Sequence, residues 1–225
     1  MLSNKVSKSE LLVLSIVAIL FLIGFILVFT DVPLFEIYTV EDGIVEWLTV
    51  VGLLLASFTS FKRAADLGRR RSWLFVVGCL FLGLVLFFGA GEEISWGQRL
   101  LGIQSPDYFK ENNTQGETNF HNLVLGGVRI NRWIFSFLLS AVLAIYIIVI
   151  PLLYRSKKWM QRFVTYCGIP LPKVYQIISF LVIFGLSELI PHEKRAELLE
   201  AGTAFMLFLI IRYPTNYKTF SKRQY

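Results

Sequence analysis

Apolar positions along this chain come in long blocks rather than in the short rhythm of an amphipathic soluble protein. Leu11 to Thr30 is near-continuously apolar, and about 20 such residues are what a helix needs to cross a bilayer. Further blocks predict helices at about 42–61, 73–92, 134–154, 174–190 and 191–211. The first block is too long for a signal peptide and runs into Phe29-Thr30-Asp31 without a small-residue cleavage site, so it reads as a retained span. Counting back from Phe61 starts the second span at Asp42 and puts Glu46 on the helix, roughly 6 Å deeper. The purely apolar part of the last block, Ala201 to Ile211, is too short to cross alone. Extended back to Pro191, a residue tolerated at the first helical position, it brings Glu193, Glu197 and Glu200 onto one helical face. The pattern predicts an all-α polytopic membrane protein: six transmembrane helices in one integral membrane domain over 1–225, with a long outer loop at 93–133. Two short apolar pieces in that loop, 100–103 and 123–128, either lie on the membrane surface or re-enter the protein.

Composition supports this. Hydrophobic residues make up 55% of the chain and Phe alone supplies 20 of 225, more apolar surface than a soluble domain of this length can bury. The 22 Lys and Arg against 16 Asp and Glu raise the question of nucleic acid, and their placement answers it. The N-terminus, the loops after the second and fourth spans, and the tail carry 16 Lys or Arg beside only Glu10 and Asp66. The other side carries 14 acids and 6 Lys or Arg. Basic residues are retained on the cytoplasmic side during insertion, so both termini are expected inside and the acidic loops outside. The positive charge is then a topology and lipid-headgroup signal; the expected partners are membrane lipids, with room for a homo-oligomer or a membrane-protein partner. Cys79 and Cys167 are expected at different levels of the membrane, which speaks against a disulfide on reach.

Chemistry gathers on the acidic side. Gly91-Glu92-Glu93-Ile94-Ser95-Trp96-Gly97-Gln98-Arg99 closes the third span and opens the long loop, which adds Asn113, Gln115, Glu117, Asn119, His121 and Asn122. Carboxylates inside a membrane are costly unless paired, protonated or hydrated, which marks them as functional candidates. Glu46, Glu92, Glu93 and Glu117 are the candidate acid–base groups. Glu92 and Glu93 point about 100° apart on a helix, Glu93 being favoured as the inward one, while Glu92, Trp96 and Arg99 share a face. Trp96, Arg99, Asn119 and Asn122 are candidate substrate contacts, Arg99 as a grip for a phosphate or carboxylate. Glu117-x-x-x-His121 and Glu188-x-x-x-His192 have the i, i+4 spacing that sets two ligands on one helical face. His121, His192 and Glu188 are accordingly the candidate ligands of a divalent metal such as Zn, Mn or Fe. For the same residues the plainer readings are loop hydrogen bonds and acids at a helix N-terminus.

The Gly91–Arg99 run, with Glu117-x-Asn119-x-His121-Asn122 downstream and Glu41-Asp42-Gly43-x-x-Glu46 upstream, resembles an uncharacterised family of bacterial multi-span membrane proteins. The resemblance covers about the middle third of the chain and implies a bacterial cytoplasmic membrane, with no particular activity. There is a looser likeness to the ceramidase-like membrane hydrolases. That superfamily uses three His and this chain has two, so none of its site residues transfer. The functional expectation is a membrane-embedded hydrolase or transferase acting on a lipid or lipid-linked substrate at the outer leaflet. The alternatives are a proton- or cation-coupled transporter or channel component, and a non-catalytic assembly subunit.

Overall fold

In the computed structural model residues 6–130, 133 and 137–222 are described. Helix α1 runs over Lys8–Thr30 and begins on a capping box: Ser7 Oγ accepts from Glu10 N at 3.2 Å, and Glu10 Oε2 accepts from Ser7 N at 2.8 Å. Satisfying two orphan amides in this way starts the helix before the apolar block does and puts Glu10 on it. The short α2, Val32–Tyr38, is started by the Asp31 side chain, which accepts from Leu34 N at 3.0 Å. Helices α3 (Ile44–Leu67) and α4 (Trp73–Glu93) form an antiparallel pair. The long loop holds two short helices, α5 (Gln98–Leu101) and α6 (Asp107–Asn112), and a two-residue hairpin, β1 (Val124–Leu125) with β2 (Val128–Arg129).

Residues 134–136, the expected start of the fourth span, lie outside the described residues. The remainder runs as α7 (Leu139–Ala144), a π-helical segment Ile145–Val149, and α8 (Ile150–Ser156). Pro151 has no N–H and its ring crowds the preceding turn, so the wider segment sits directly before it. The basic loop expected over 155–173 contains a further helix, α9 (Lys158–Tyr166). The bundle is completed by α10 (Val174–Glu188) and α11 (Arg195–Arg212).

Among the described residues four helices are long and apolar enough to cross a membrane: Lys8–Thr30, Ile44–Arg70 (α3 with a 3-10 turn), Trp73–Glu93 and Leu139–Ser156. The other two blocks differ from expectation. The fifth yields a 15-residue helix, and the sixth starts at Arg195 rather than at Pro191. Residues 191–194 form a turn in which Lys194 N donates to His192 Nδ1 at 3.2 Å and Arg195 N to His192 O at 3.2 Å. Glu193 is thereby off the helix, while Glu197 and Glu200 stay on it.

Helix α3 packs most extensively against α4 and α11, and α11 in turn packs against α10 and α1. The main core joins Val17, Leu20 and Phe21 of α1, Ile183 of α10, and Leu198, Phe205, Met206 and Leu209 of α11. Outward faces are apolar as well: Leu22, Phe29, Phe81 and Leu84 lie exposed. A bilayer covers such a surface, whereas water would not tolerate it.

Contacts divide the bundle into two ends. At the basic end, Arg70 and Arg71 donate to the backbone carbonyls of Lys222 and Ser221 at 3.0 Å each, and Lys173 Nζ lies 2.6 Å from Glu10 Oε1. The acidic end carries α2, the loop after α4, and the turn between α10 and α11. Cys79 and Cys167 are both free thiols, but they do not lie at different levels. A Cβ added at Gly168 would stand 3.2 Å from Cys79 Sγ.

Candidate functional site

Helix α4 stops at Glu93 because Ser95 and Trp96 take the left-handed region, with φ of 46° and 56°. The continuous helix that would align Glu92, Trp96 and Arg99 on one face therefore does not form. Instead the chain folds back, and the absence of a side chain at Gly91 makes room for the indole: a Cβ there would lie 2.8 Å from the Trp96 ring. Trp96 Nε1–H donates to Glu92 Oε1 at 2.8 Å, and the ring meets Phe87 and Phe88 edge-on. The other oxygen of Glu92 accepts from the backbone N–H groups of Phe120 (2.6 Å) and His121 (3.1 Å). Glu92 is only 3% exposed; both oxygens are used in clasping the loop to the end of α4.

The Asn-rich stretch closes on itself and on the α4 turn. Asn119 Nδ2 donates to Ser95 Oγ at 2.8 Å, and its Oδ1 accepts from Asn113 Nδ2 (2.9 Å) and Asn122 N (3.0 Å). Asn122 Nδ2 reaches Gln115 Oε1 at 2.6 Å. Ser95 Oγ donates to Glu117 Oε2 in a short hydrogen bond, and Gln98 Oε1 accepts from Thr118 N at 2.8 Å. Asn119 and Asn122, expected as substrate contacts, are thus engaged in building the loop.

Arg99, on α5, gathers acids from three segments. Its Nη1 lies 2.9 Å from Asp42 Oδ2 and 4.0 Å from Glu41 Oε2, and its Nη2 lies 3.6 Å from Glu46 Oε1. Nε stands 3.2 Å from Glu117 Oε1 but off the N–H axis, so that contact is a charge pairing rather than a hydrogen bond. Asp42 holds a φ of 59° while its N–H donates to Glu46 Oε2. Asp42, Ser95 and Trp96 are the non-glycine residues with positive φ among the described residues. All three sit in this one network, each at a cost of about 1–3 kcal/mol.

Below this network a second group of carboxylates converges where α3, α4 and α11 meet. Glu93 lies within electrostatic reach of Glu197, Glu46 and Glu92, and Glu200 within reach of Glu93, Glu197 and Glu46. Among the described residues, no hydrogen bond or ion pair links Glu93, Glu197 or Glu200 to a partner side chain; Lys194 is the basic group whose charge Glu197 feels. Glu200 is partly buried on α11.

The expected metal ligands do not assemble. His192, in the turn before α11, packs against α2, with Nε2 3.4 Å from Glu36 Oε1 and its ring edge-on to Phe35. Glu188 is ion-paired with Arg195 at 3.0 Å. His121 sits in a turn beside Glu92, and burial pushes its imidazole below the ordinary 6.5. Glu117–His121 and Glu188–His192 are not helical pairs, since 117–121 is loop and α10 ends at Glu188. Among the described residues no three or more His, Cys, Asp or Glu are placed to hold a metal ion. His121, His192 and Glu188 therefore share no metal site.

Sequence reading missed Glu10, treated there as part of a polar terminus. It is 1% exposed and receives Lys173 Nζ, Tyr175 OH and Ser7 N. The Ser7-x-x-Glu10 capping box was a signal for the helix start; nothing local pointed to Lys173 as the partner. Ser95 and Gln98 were likewise unmarked, and their roles depend on where residues 117–119 return in space. No protein-family model, curated protein or solved structure matches this chain.

Proposed function

We propose that this is a six-span protein of a bacterial cytoplasmic membrane, both termini inside, whose outer carboxylate cluster binds protons in competition with a cation that keeps its water shell, the described carboxylates not being placed to ligate a bare ion, as the coupling site of a transporter or channel component. The observation that carries the reading is the convergence of Glu46, Glu93, Glu197 and Glu200, in which, among the described residues, Glu46 is ion-paired with Arg99, Glu197 feels Lys194 only as a nearby charge, and Glu93 and Glu200 have no ion pair. Like charges at the edge of a low-dielectric region are neutralised by shared protons or by a bound cation. The Arg99 network above holds the geometry fixed, so that proton or cation occupancy is the variable. Glu10 supplies support from the other end, as a buried carboxylate with Lys173 and Tyr175 beside it.

The test is infrared difference spectroscopy on protein in lipid at neutral pH, titrated with Na⁺, K⁺, Mg²⁺ and Ca²⁺ in turn. A protonated-carboxyl band that one cation displaces, and that is reduced by Glu93→Gln and by Glu200→Gln, is the expected result. Absence of that band from wild type, or a band indifferent to every cation and both variants, overturns the proposal.

A second reading, hydrolysis or group transfer on a lipid-linked substrate, is favoured by one feature. Glu93, without an ion pair among the described residues, lies within electrostatic reach of the Arg99-paired Glu46, and two carboxylates in unlike surroundings are the usual setting for an acid and a base. Lipid turnover by reconstituted protein, lost in Glu93→Gln, would select it over the transport reading.

A further inference from the structure

Helix α9 was not anticipated from the sequence, and the carboxylate site makes no use of it. One face is anchored: Met160 and Val164 pack with Leu171, Ile150 and Leu153. Trp159, Phe163 and Tyr166, spaced i, i+4, i+7 and so lying on one side of the helix, are 59%, 49% and 57% exposed. Lys158 and Arg162 flank that aromatic stripe, Lys157 and Arg155 precede it, and all four are exposed. No Asp or Glu occurs anywhere from Pro151 to Lys173.

The depth of the helix is set by what its C-terminal end touches. Ser72 Oγ donates to the Tyr166 carbonyl at 3.0 Å. A Cβ on Gly78 would collide with the Cys167 carbonyl oxygen. Gly78 is five residues inside α4, which at 1.5 Å per residue is about 8 Å beyond Trp73. The N-terminal end of α9 follows directly from α8, the last part of the membrane-length segment Leu139–Ser156, whose Leu152 is 58% exposed. Both ends are therefore tied at the level where spans leave the hydrocarbon. An amphipathic helix held in that plane buries its apolar face about 5–10 Å into the headgroup boundary.

We propose that α9 is an interfacial helix that binds anionic phospholipid headgroups of the leaflet on the side of both termini. Trp159, Phe163 and Tyr166 enter the boundary between headgroups and acyl chains. Arg155, Lys157, Lys158 and Arg162 pair with the phosphates around them. Because α9 is tied to α4 at one end and α8 at the other, the lipids it holds set how those two spans sit relative to each other. The proposal rests on the membrane-spanning reading of α4 and of the segment Leu139–Ser156 that ends in α8, and is independent of what the carboxylate cluster binds.

The test uses the full chain in nanodiscs, with Trp47, Trp73, Trp96 and Trp133 replaced by Phe so that Trp159 alone reports. Brominated phosphatidylglycerol in a phosphatidylcholine background is compared with brominated phosphatidylcholine in a phosphatidylglycerol background. The expected result is quenching by both, severalfold stronger by the brominated phosphatidylglycerol, with the preference falling at high salt and lost in Lys157→Gln/Lys158→Gln/Arg162→Gln. At about fivefold per basic residue, the three changes together leave little selectivity. Should the Trp replacements fail to fold, native mass spectrometry of the otherwise wild-type chain serves, with retained phosphatidylglycerol expected and its loss expected in the triple variant. Trp159 quenched by aqueous iodide and untouched by brominated lipid, equal quenching by the two lipids, or unchanged lipid retention in the triple variant would each overturn the proposal.

Discussion

Arg99 Nη1 stands 2.9 Å from Asp42 Oδ2, joining the turn that opens α3 to the helix that follows α4. The same guanidinium is 3.6 Å from Glu46 and 3.2 Å from Glu117, whose side chains are 8% and 12% exposed. Its removal leaves two nearly buried carboxylates without a counter-charge. We expect Arg99→Gln to cost about 3 kcal/mol, the low end for breaking a buried pair, because Arg99 itself keeps 28% of its surface. Arg99→Lys recovers only part of this, since one ammonium cannot face three carboxylates along separate directions. Thermal unfolding in detergent measures both; a melting temperature unchanged in Arg99→Gln would show that the network is incidental.

Adjacent Glu92 and Glu93 should behave oppositely. Glu92 accepts from the Trp96 indole and two backbone amides, so Glu92→Gln puts a donor where acceptors are needed and costs about 2–3 kcal/mol. Glu93→Gln removes a carboxylate whose charged neighbours among the described residues are the carboxylates Glu197, Glu46 and Glu92 and should leave stability unchanged or slightly raised, while reducing the cation-sensitive infrared band. Equal destabilisation by the two changes would contradict the division of roles.

Gly91→Ala tests the fold-back of Trp96. The added methyl would sit 2.8 Å from the ring, so the indole must leave Glu92 or α4 must shift, at about 1–3 kcal/mol. With Trp96 as the single remaining Trp, its emission should move to the red. No spectral change means the close approach is relieved without moving the indole.

His121 makes the loop pH-sensitive. Burial holds its imidazole below 6.5, so the opened loop takes up a proton before the closed loop does. The stabilising contribution is complete above pH 6.5, is lost as pH falls through that value, and stops changing below the lower value of the closed state. Hydrogen exchange over residues 113–123, corrected for the intrinsic pH effect, should accelerate in that window in wild type. It should not do so in His121→Gln, and identical profiles for the two would dismiss the role.

Glu10 and Lys173 should be coupled. Either Glu10→Gln or Lys173→Met alone leaves a buried charge unpaired and costs about 3–5 kcal/mol, whereas the double change should lie much closer to wild type. Additive losses in the double-mutant cycle would mean that Tyr175 and Ser7, rather than Lys173, hold Glu10 in place.

The helices that follow apolar blocks were legible because one physical requirement, length of apolar chain per bilayer crossing, shapes them. The first three blocks, at 11–30, 42–61 and 73–92, reappear as α1, α3 and α4; the earlier start of α1 has a local cause in Ser7, the later start of α3 follows its N-cap Gly43, the end of α4 is set at Ser95, and α3 runs on to Leu67 beyond its apolar block. Where charged residues share a segment with apolar ones, the pattern lost its hold. Pro191 is an acceptable helix start, yet His192 organises a turn and α11 begins later. Helix α9 was hidden in a run that reads as a basic loop, since its anchoring residues are only Met160 and Val164.

What the sequence by itself determined is the class: membrane-length apolar helices, a basic and an acidic side, and a gathering of carboxylates on the latter, because length, hydropathy and charge are additive along the chain. What only the tertiary structure decided is which of those carboxylates are partnered. Glu92 closes a loop, Glu46 and Glu117 share Arg99, and Glu93 meets Glu197 and Glu200 from another helix. That division depends on chain reversals at Ser95 and Trp96 and on how α11 packs against α3. Pairing of charges falls off over a few ångströms, and separation along the chain says almost nothing about separation at that scale.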